Sequence, residues 1–208
     1  AEQGVNAEER GYLSGIVRRV DEQYYTDEWA KCCLLLYKKE LLQKPPLCLR
    51  RLFFRHPDKM KMFLEENPSR LFDIENDYYL PEEAYQDKRA FDCWAECLYE
   101  EFPEILGYIM GKSCNGKDGA FPHEFIREFL EKQQNEKLTK AVFYGKFNSR
   151  GARIVQDGRN LYEQAKCYRA QARELRLKFP QSAKILLQLA KWMESEAQHD
   201  QLEAEIVP

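Results

Sequence analysis

Apolar residues recur at alternating spacings of four and three along residues 159–204, and this regularity restricts the fold more than any other feature of the chain. The repeat consists of Leu161, Ala165, Tyr168, Ala172, Leu175 and Phe179, followed by Ala183, Leu186, Ala190, Met193 and Ala197. Such spacing places each set on one face of an α-helix with about 3.6 residues per turn. Because Pro180 lies where the two segments meet, we predict that they form a long antiparallel helical hairpin.

The same spacing predicts helices through the rest of the chain. The longer ones are expected at 27–43 and 82–102, and the shorter ones at 12–20, 46–55, 58–66, 104–111, 123–134 and 136–147. Prolines followed by a carboxylate, as at Pro57 and Pro103, mark helix starts, since proline suits the first helical position. The predicted fold class is all-α, an irregular multi-helix bundle of about eight to ten helices that ends in the hairpin 159–179 and 181–204.

The length and composition of the chain favour a single helical domain over residues 1–208. Of its 208 residues, 44% are hydrophobic and 13% are aromatic, so the chain can bury a core without disulfides or metal and is unlike disordered sequences. Two loops with glycine and polar residues, 113–121 and 147–158, are the points at which two halves would separate. We expect one continuous core across both loops.

The cysteines and the hydropathy pattern indicate a cytoplasmic protein. Three of the seven cysteines, Cys93, Cys97 and Cys167, fall inside helical patterns, which is typical of reduced thiols rather than of a secreted disulfide framework. No stretch of about 18 apolar residues is present, so no membrane association is predicted. The polar N-terminus does not start with methionine, and we interpret the chain as the C-terminal part of a larger protein or as a subunit of a complex.

Charge is segregated along the chain although the net charge is only −3. Basic residues dominate 38–61 and 137–159, and acidic residues dominate 65–104. Either these segments face each other or the solvent, or the basic ones form a patch that binds phosphate groups or an acidic partner. In the second case, the residues expected to bind the anion or the partner are Lys146, Arg150, Arg153, Arg159, Arg50, Arg51 and Arg55. Three aromatic residues that would stack on bases or pack in a core interleave with the second basic segment, namely Phe143, Tyr144 and Phe147.

Short motifs that resemble metal or nucleotide sites fail in detail. Residues 107–113 resemble the end of a phosphate-binding loop, but they have one residue too few between the glycines and no preceding strand. A helix that ends at Gly111 explains them better. Cys93 and Cys97 share a helix face, yet no second pair of ligands has matching spacing. We therefore predict no metal, no cofactor and no motif-based catalytic site.

The sequence leaves three functions open. The leading interpretation is a non-enzymatic helical interaction or regulatory module with a protein partner, because no catalytic motif stands out. The first alternative is a nucleic-acid-binding accessory protein that uses the basic segments 38–61 and 137–159. The second is a cysteine-dependent enzyme in which His123 lowers the pKa of a Cys114 nucleophile nine residues earlier.

Overall fold

The computed structural model describes residues 7–23, 26–149 and 159–206, and these residues form eleven α-helices and no strand. The predicted all-α class is confirmed. The helices are α1 (Ala7–Gln23), α2 (Asp27–Lys38), α3 (Leu47–Arg55), α4 (Pro57–Glu66), α5 (Leu71–Asp77), α6 (Lys88–Tyr99), α7 (Pro103–Gly111), α8 (Glu124–Gln133), α9 (Glu136–Asn148), α10 (Arg159–Leu175) and α11 (Pro180–Ile206). Within these described ranges, no helix combines the length and the apolar character needed to cross a membrane.

Helix boundaries differ most from the predicted ones between residues 66 and 102. The segment predicted as one helix over 82–102 is a short 3-10 helix, Glu82–Tyr85, followed by α6. Asp87 separates the two, because its carboxylate accepts hydrogen bonds from the backbone N–H groups of Arg89 (2.9 Å) and Ala90 (3.1 Å) and so caps α6. The seven-residue α5 is too short to show a periodic pattern and adds the helix that brings the number to eleven.

The chain divides into two compact units, Ala1–Ile105 and Leu106–Pro208. The first unit contains α1 to α6, and the second contains α8 to α11, while α7 spans the boundary. Each unit has its own set of buried apolar side chains, and each is described by itself below. A single core over 1–208 stays a prediction.

Aromatic rings fill the centre of the first unit. Phe53 of α3 lies 5.3 Å from the ring of Phe63 on α4 and 6.3 Å from the ring of Tyr78. Tyr37 of α2 stacks on Phe63 at 5.6 Å, and all four side chains are buried. Burial raises the pKa of both tyrosines well above the usual value, since the charged phenolate is disfavoured in the core.

The buried side chain of Arg70 links the end of α2 to the start of α5 through hydrogen bonds. Arg70 is only 9% exposed, its guanidinium lies 4.6 Å above the ring of Tyr37, and one of its Nη groups donates a 2.8 Å hydrogen bond to the Tyr37 carbonyl. The other Nη donates to the Asp73 carboxylate at 2.5 Å. Because the Tyr37 carbonyl is in the last turn of α2, a cation there stabilises the negative end of the helix dipole.

The predicted hairpin of the second unit is confirmed as α10 and α11, joined by 176–179. Their antiparallel direction is shown by Arg169, which donates two hydrogen bonds of 2.7 and 2.6 Å to the Glu194 carboxylate from the facing helix. Small side chains dominate the seam, among them Ala165, Ala190 and Ala197, which lets the two helix axes approach closely.

A close helix crossing in the second unit joins α7 and α9 through glycine. A Cβ atom added to Gly107 would lie 2.5 Å from the Cβ of Ala141, and one added to Gly111 or Gly145 would overlap backbone atoms of the opposite helix. No larger residue fits at these positions unless the helices move apart. The prediction that a helix ends at Gly111 is confirmed, and the reason for glycine there is this contact.

We expect Gly111→Ala to lower the free energy of unfolding by about 2–3 kcal/mol, because the methyl group must displace the α9 backbone. Gly15→Ala is the matched control, since Gly15 lies in α1 with nothing within 4 Å of an added Cβ. This control should be neutral or more stable by about 0.5–1 kcal/mol, the difference in helix propensity. Urea unfolding followed by circular dichroism measures both, and equal stability of the two variants would contradict the close crossing.

Candidate functional site

Carboxylates of the same unit neutralise much of the first basic segment. Five of the eight basic residues in 38–61 pair with residues of the acidic segment 65–104. The pairs are Lys38–Glu66 (2.8 Å), Lys44–Asp77 (2.8 Å), Arg51–Glu83 (3.4 Å), Arg55–Glu83 (2.9 Å) and Lys61–Glu101 (2.5 Å). Each is a partly exposed surface pair of small individual value. Together they favour the interpretation in which the basic and acidic segments face each other.

The predicted binding residues of the first segment lie along α3. Arg51 and Arg55 both contact the carboxylate of Glu83. Arg50 is half-buried and borders a cavity, and its backbone carbonyl accepts a 3.0 Å hydrogen bond from the Tyr78 hydroxyl. These three arginines therefore do not act as one exposed cationic surface.

The predicted residues of the second segment are only partly within the described ranges. Lys146 is half-buried on α9, and its ammonium lies 4.5 Å from the centroid of the Phe121 ring, a favourable cation–π distance. Arg159 is exposed at the first residue of α10. Arg150 and Arg153 lie outside the described residues.

Helices α9 and α11 pack side by side in the second unit and run in the same direction, and we call the surface between them the groove. At their N-terminal ends the groove widens to a polar cavity of about 340 Å³, lined by Gln134, Glu136, Thr139, Lys140, Gln181, Lys184 and Gln188. Near the C-terminal end of α9 the ring of Phe147 meets the ring of Trp192, which lies in the middle of α11, edge-on at 4.6 Å. The N-terminus of α11 is fixed by Glu131 of α8, whose carboxylate accepts a 2.7 Å hydrogen bond from the Gln181 N–H.

A row of aromatic side chains runs from α7 across α9 to α11 and meets the groove at Phe147 and Trp192. It consists of Tyr108, Tyr144, Phe143, Phe147 and Trp192, and we call these five residues the aromatic row. Centroid distances between successive rings are 6.3, 5.3, 6.1 and 4.6 Å. Tyr144 is 48% exposed and the other four are half-buried. The row therefore presents apolar surface to the solvent although it is anchored in the fold.

The polar end of the groove carries more positive than negative side chains. Lys140 and Lys184 are exposed there, and Glu136 is the single carboxylate among the described lining residues. A 3.0 Å ion pair with Lys140 keeps the pKa of Glu136 below its usual value. The groove thus joins a weakly cationic end to an aromatic end.

The sequence pattern identifies the members of the aromatic row that lie on α9, but not the members that other helices contribute. Phe143, Tyr144 and Phe147 stand out because they interleave with basic residues. Tyr108 and Trp192 are separated from them by tens of residues in the chain and reach the same surface only through the packing of α7 and α11. No local pattern connects them.

Ion pairs with a buried arginine order the loop between α7 and α8. Arg127 is 2% exposed, and its two Nη groups donate hydrogen bonds of 2.7 and 2.8 Å to the Asp118 carboxylate in the loop. These hydrogen bonds lower the pKa of Asp118, since they favour the charged form. The Glu124 carboxylate accepts a 3.2 Å hydrogen bond from the Lys117 N–H. The loop is therefore held by α8 rather than open.

The environment of Cys114 and His123 does not favour a thiolate nucleophile. Burial, followed by smaller effects that include the Glu124 carboxylate, raises the pKa of the Cys114 thiol, whereas catalytic cysteines have a lowered pKa. His123 is 4% exposed and caps α8, since its Nδ1 accepts a 3.3 Å hydrogen bond from the Phe125 N–H. Burial also lowers the pKa of His123, so the imidazole is neutral at pH 7.

Neither a metal site nor a similarity to a known protein assigns a function to the described residues. In the ranges that the structure describes, no three His, Cys, Asp or Glu side chains lie together in a way that would hold a metal ion. None of the seven cysteines, Cys93 and Cys97 included, forms a disulfide. Comparison of the chain with family models, curated proteins and solved structures gave no match. Function is therefore argued from the residues of the chain itself.

We expect Cys114 to be alkylated by iodoacetamide at pH 7.5 no faster than the exposed Cys93, because burial raises the pKa of its thiol. Peptide mass spectrometry after timed quenching measures both rates in one sample. Replacing His123 by Ala should leave the ratio of the two rates unchanged. A much faster reaction of Cys114 that depends on His123 would instead support the hypothesis of a cysteine-dependent enzyme.

The Asp118–Arg127 pair should give a pH-dependent contribution to stability. The pKa of Asp118 is lowered by folding, so the contribution is full above the unfolded-state pKa of about 3.9 and is lost as the pH falls through the folded-state pKa. We expect Asp118→Asn to cost about 1–3 kcal/mol at pH 6.5, since it weakens the partner of a buried guanidinium.

Chemical unfolding between pH 2.5 and pH 6.5 tests this expectation, because the Asp118→Asn difference should shrink at the acid end. The matched control is Glu163→Gln, which removes an exposed pair with Lys166 and should cost less than about 0.5 kcal/mol. A pH-independent difference for Asp118→Asn would show that its charge is not what stabilises the loop.

Proposed function

We propose that the chain is a non-enzymatic interaction module and that its second unit binds an acidic helical segment of a partner protein in the groove between α9 and α11. The observation that carries this proposal is the aromatic row at the protein surface. It deepens the leading interpretation of the sequence by naming the surface and the chemistry of the partner.

The composition of the aromatic row is typical of the centre of a protein interface. Tyrosine, tryptophan and phenylalanine are enriched there, since rigid rings bury much area at a small cost in conformational entropy. Trp192 packs against the buried cluster of the hairpin, and Tyr144 stacks on Tyr108 while remaining 48% exposed. The rings are thus held in position before a partner arrives, which lowers the entropy lost on binding.

The shape of the groove suits a helix. Helix α9 has 13 residues, so the groove is about 20 Å long, enough for three to four turns of a partner helix. Two parallel helices with a groove between them accept a third whose apolar side chains recur every three to four residues. The row would receive that apolar stripe.

The charged side chains of the groove favour one class of partner helix. Lys140 and Lys184 lie at one end of the groove, where Glu136 is the single described carboxylate of the lining and pairs with Lys140. The net charge of this end is therefore weakly positive, so an acidic segment is favoured there over a basic one. Complementary charges of this kind raise the association rate and are weakened by salt. The partner therefore carries apolar residues at one end and carboxylates at the other.

The two alternative functions draw less support from the structure. Nucleic-acid binding through 38–61 and 137–159 would need unpaired cations, and five of those in 38–61 face carboxylates. A cysteine-dependent reaction would need a lowered thiol pKa, and that of Cys114 is raised. A cytoplasmic location is part of the proposal, since cysteines that form no disulfide, such as these seven, are typical of reducing compartments.

Selection from a display library of helix-forming peptides of about 20 residues, with randomised surface positions, tests the proposal. We expect the selected peptides to share an apolar stripe and net negative charge. Fluorescence anisotropy should show that Tyr144→Ala weakens the best peptide about tenfold or more, the size of an interface hot spot. Replacing Lys140 and Lys184 together by Glu should weaken the binding of this peptide further and reverse its salt dependence, since salt screens the repulsion between like charges.

Leu177→Ala is the matched control, since Leu177 is an exposed apolar residue, 89% exposed, at the turn between α10 and α11. It should leave peptide affinity unchanged. Selected peptides that bind Tyr144→Ala and the unchanged protein equally would rule out the groove. A 20-nucleotide single-stranded oligouridine that binds at low salt and is lost in the Lys140 and Lys184 variant would favour the nucleic-acid alternative instead.

A further inference from the structure

The first unit contains a second, chemically different concavity. A cavity of about 490 Å³ lies between α1, the connection 42–46 and the first turn of α3. Its volume falls within the range of about 300–1,000 Å³ that is usual for small-molecule sites. The groove of the second unit plays no part in it, so the two sites are independent.

One wall of this cavity is apolar. It is formed by Val17 of α1, by Leu42 and Leu47, and by the consecutive Pro45 and Pro46. Val17 and Leu42 are each 2% exposed, so they are firmly packed in the unit. Because proline has no N–H group, Pro45 and Pro46 present hydrocarbon rather than hydrogen-bond donors to the cavity. A ligand that lies on this wall is apolar over that part of its surface.

The remaining lining includes three cations from three different elements. They are Arg18 on α1, Lys44 in the connection and Arg50 on α3. No carboxylate is among the described lining residues. Lys44 is 73% exposed at its side chain and its ammonium lies 2.8 Å from the Asp77 carboxylate, so it belongs to the rim. Arg50 is half-buried, and the hydrogen bond from Tyr78 to its carbonyl holds α3 in place at this point.

We propose that this cavity binds a small amphipathic anion. Its carboxylate or phosphate head is held by Arg50 and Arg18, whose planar guanidinium groups suit two-point contact with such oxygens. Its hydrocarbon or ring body lies on Val17, Leu42 and the proline pair. Apolar contact supplies most of the affinity, and the arginines select for the charged head.

Displacement of the fluorescent anion 8-anilinonaphthalene-1-sulfonate from the full chain tests this proposal. The competing probes are decyl phosphate and decanoate, both below their critical micelle concentrations, together with decanol and inorganic phosphate. We expect both amphipathic anions to displace the dye, decanol to do so at least about tenfold less well, and inorganic phosphate not to do so at all at equal concentration. Comparison of decyl phosphate with decanoate shows which head group is preferred.

Two variants assign the binding to this cavity. Arg50→Met keeps an unbranched apolar side chain but removes the guanidinium group, and it should weaken the binding of decyl phosphate about tenfold or more. Gln43→Glu adds a carboxylate at the exposed rim of the same cavity. This variant should weaken the binding of decyl phosphate several-fold and leaves the buried side chains unchanged. Lys31→Gln on α2, exposed and outside the cavity lining, is the matched control and should have no effect.

Circular dichroism and thermal unfolding establish that each variant is folded. If Arg50→Met does not fold, Gln43→Glu and Arg18→Gln, both at exposed positions, carry the test alone. The proposal is overturned if neither amphipathic anion displaces the dye, if decanol competes as well as decyl phosphate, or if every folded cavity variant binds as the unchanged protein does. Peptide binding in the second unit is measured separately, so failure of one site is distinguishable from failure of the other.

Discussion

The contact of α7 with α9 through glycine determines where the candidate groove lies. Gly107, Gly111 and Gly145 allow two helix backbones to touch, and this close approach sets the position of α9. The same crossing brings Tyr108 to Tyr144, so that the aromatic row begins at α7 and continues along α9. A surface proposed for recognition thus depends on three residues that have no side chain and lie outside it.

The distribution of charge distinguishes the two units. In the first, basic and acidic segments that are distant in the chain face each other, and a buried cation, Arg70, bridges a helix end and an aromatic ring. In the second, the described groove has two lysines to one carboxylate beside exposed rings. Surface ion pairs contribute little stability singly, so the pairing in the first unit matters mainly because it removes cations from the surface available to a polyanion.

Patterns within short stretches of the sequence decide which helices could be predicted. The hairpin could be predicted from the spacing of Leu161, Ala165 and the residues after them. A helix buries one face, and the apolar residues of that face recur every three to four positions in the sequence. The break before α6 was missed, although Asp87 is a good helix cap, because Ala84 and Phe91 are seven residues apart, as on one face of a continuous helix. The short helix α5 was missed because seven residues hold too few turns to show a period.

The sequence by itself determined the helical class, the long hairpin and the residues of α9 that interleave rings with cations. Each of these depends on neighbours within a few turns of one helix, which spacing records directly. Only the tertiary structure decided that the first basic segment is paired, that Tyr108 and Trp192 complete the aromatic row, and that Arg18 and Arg50 border one cavity. Those contacts join residues from different elements, and they form because whole helix faces pack together, a result that no single segment of the chain specifies.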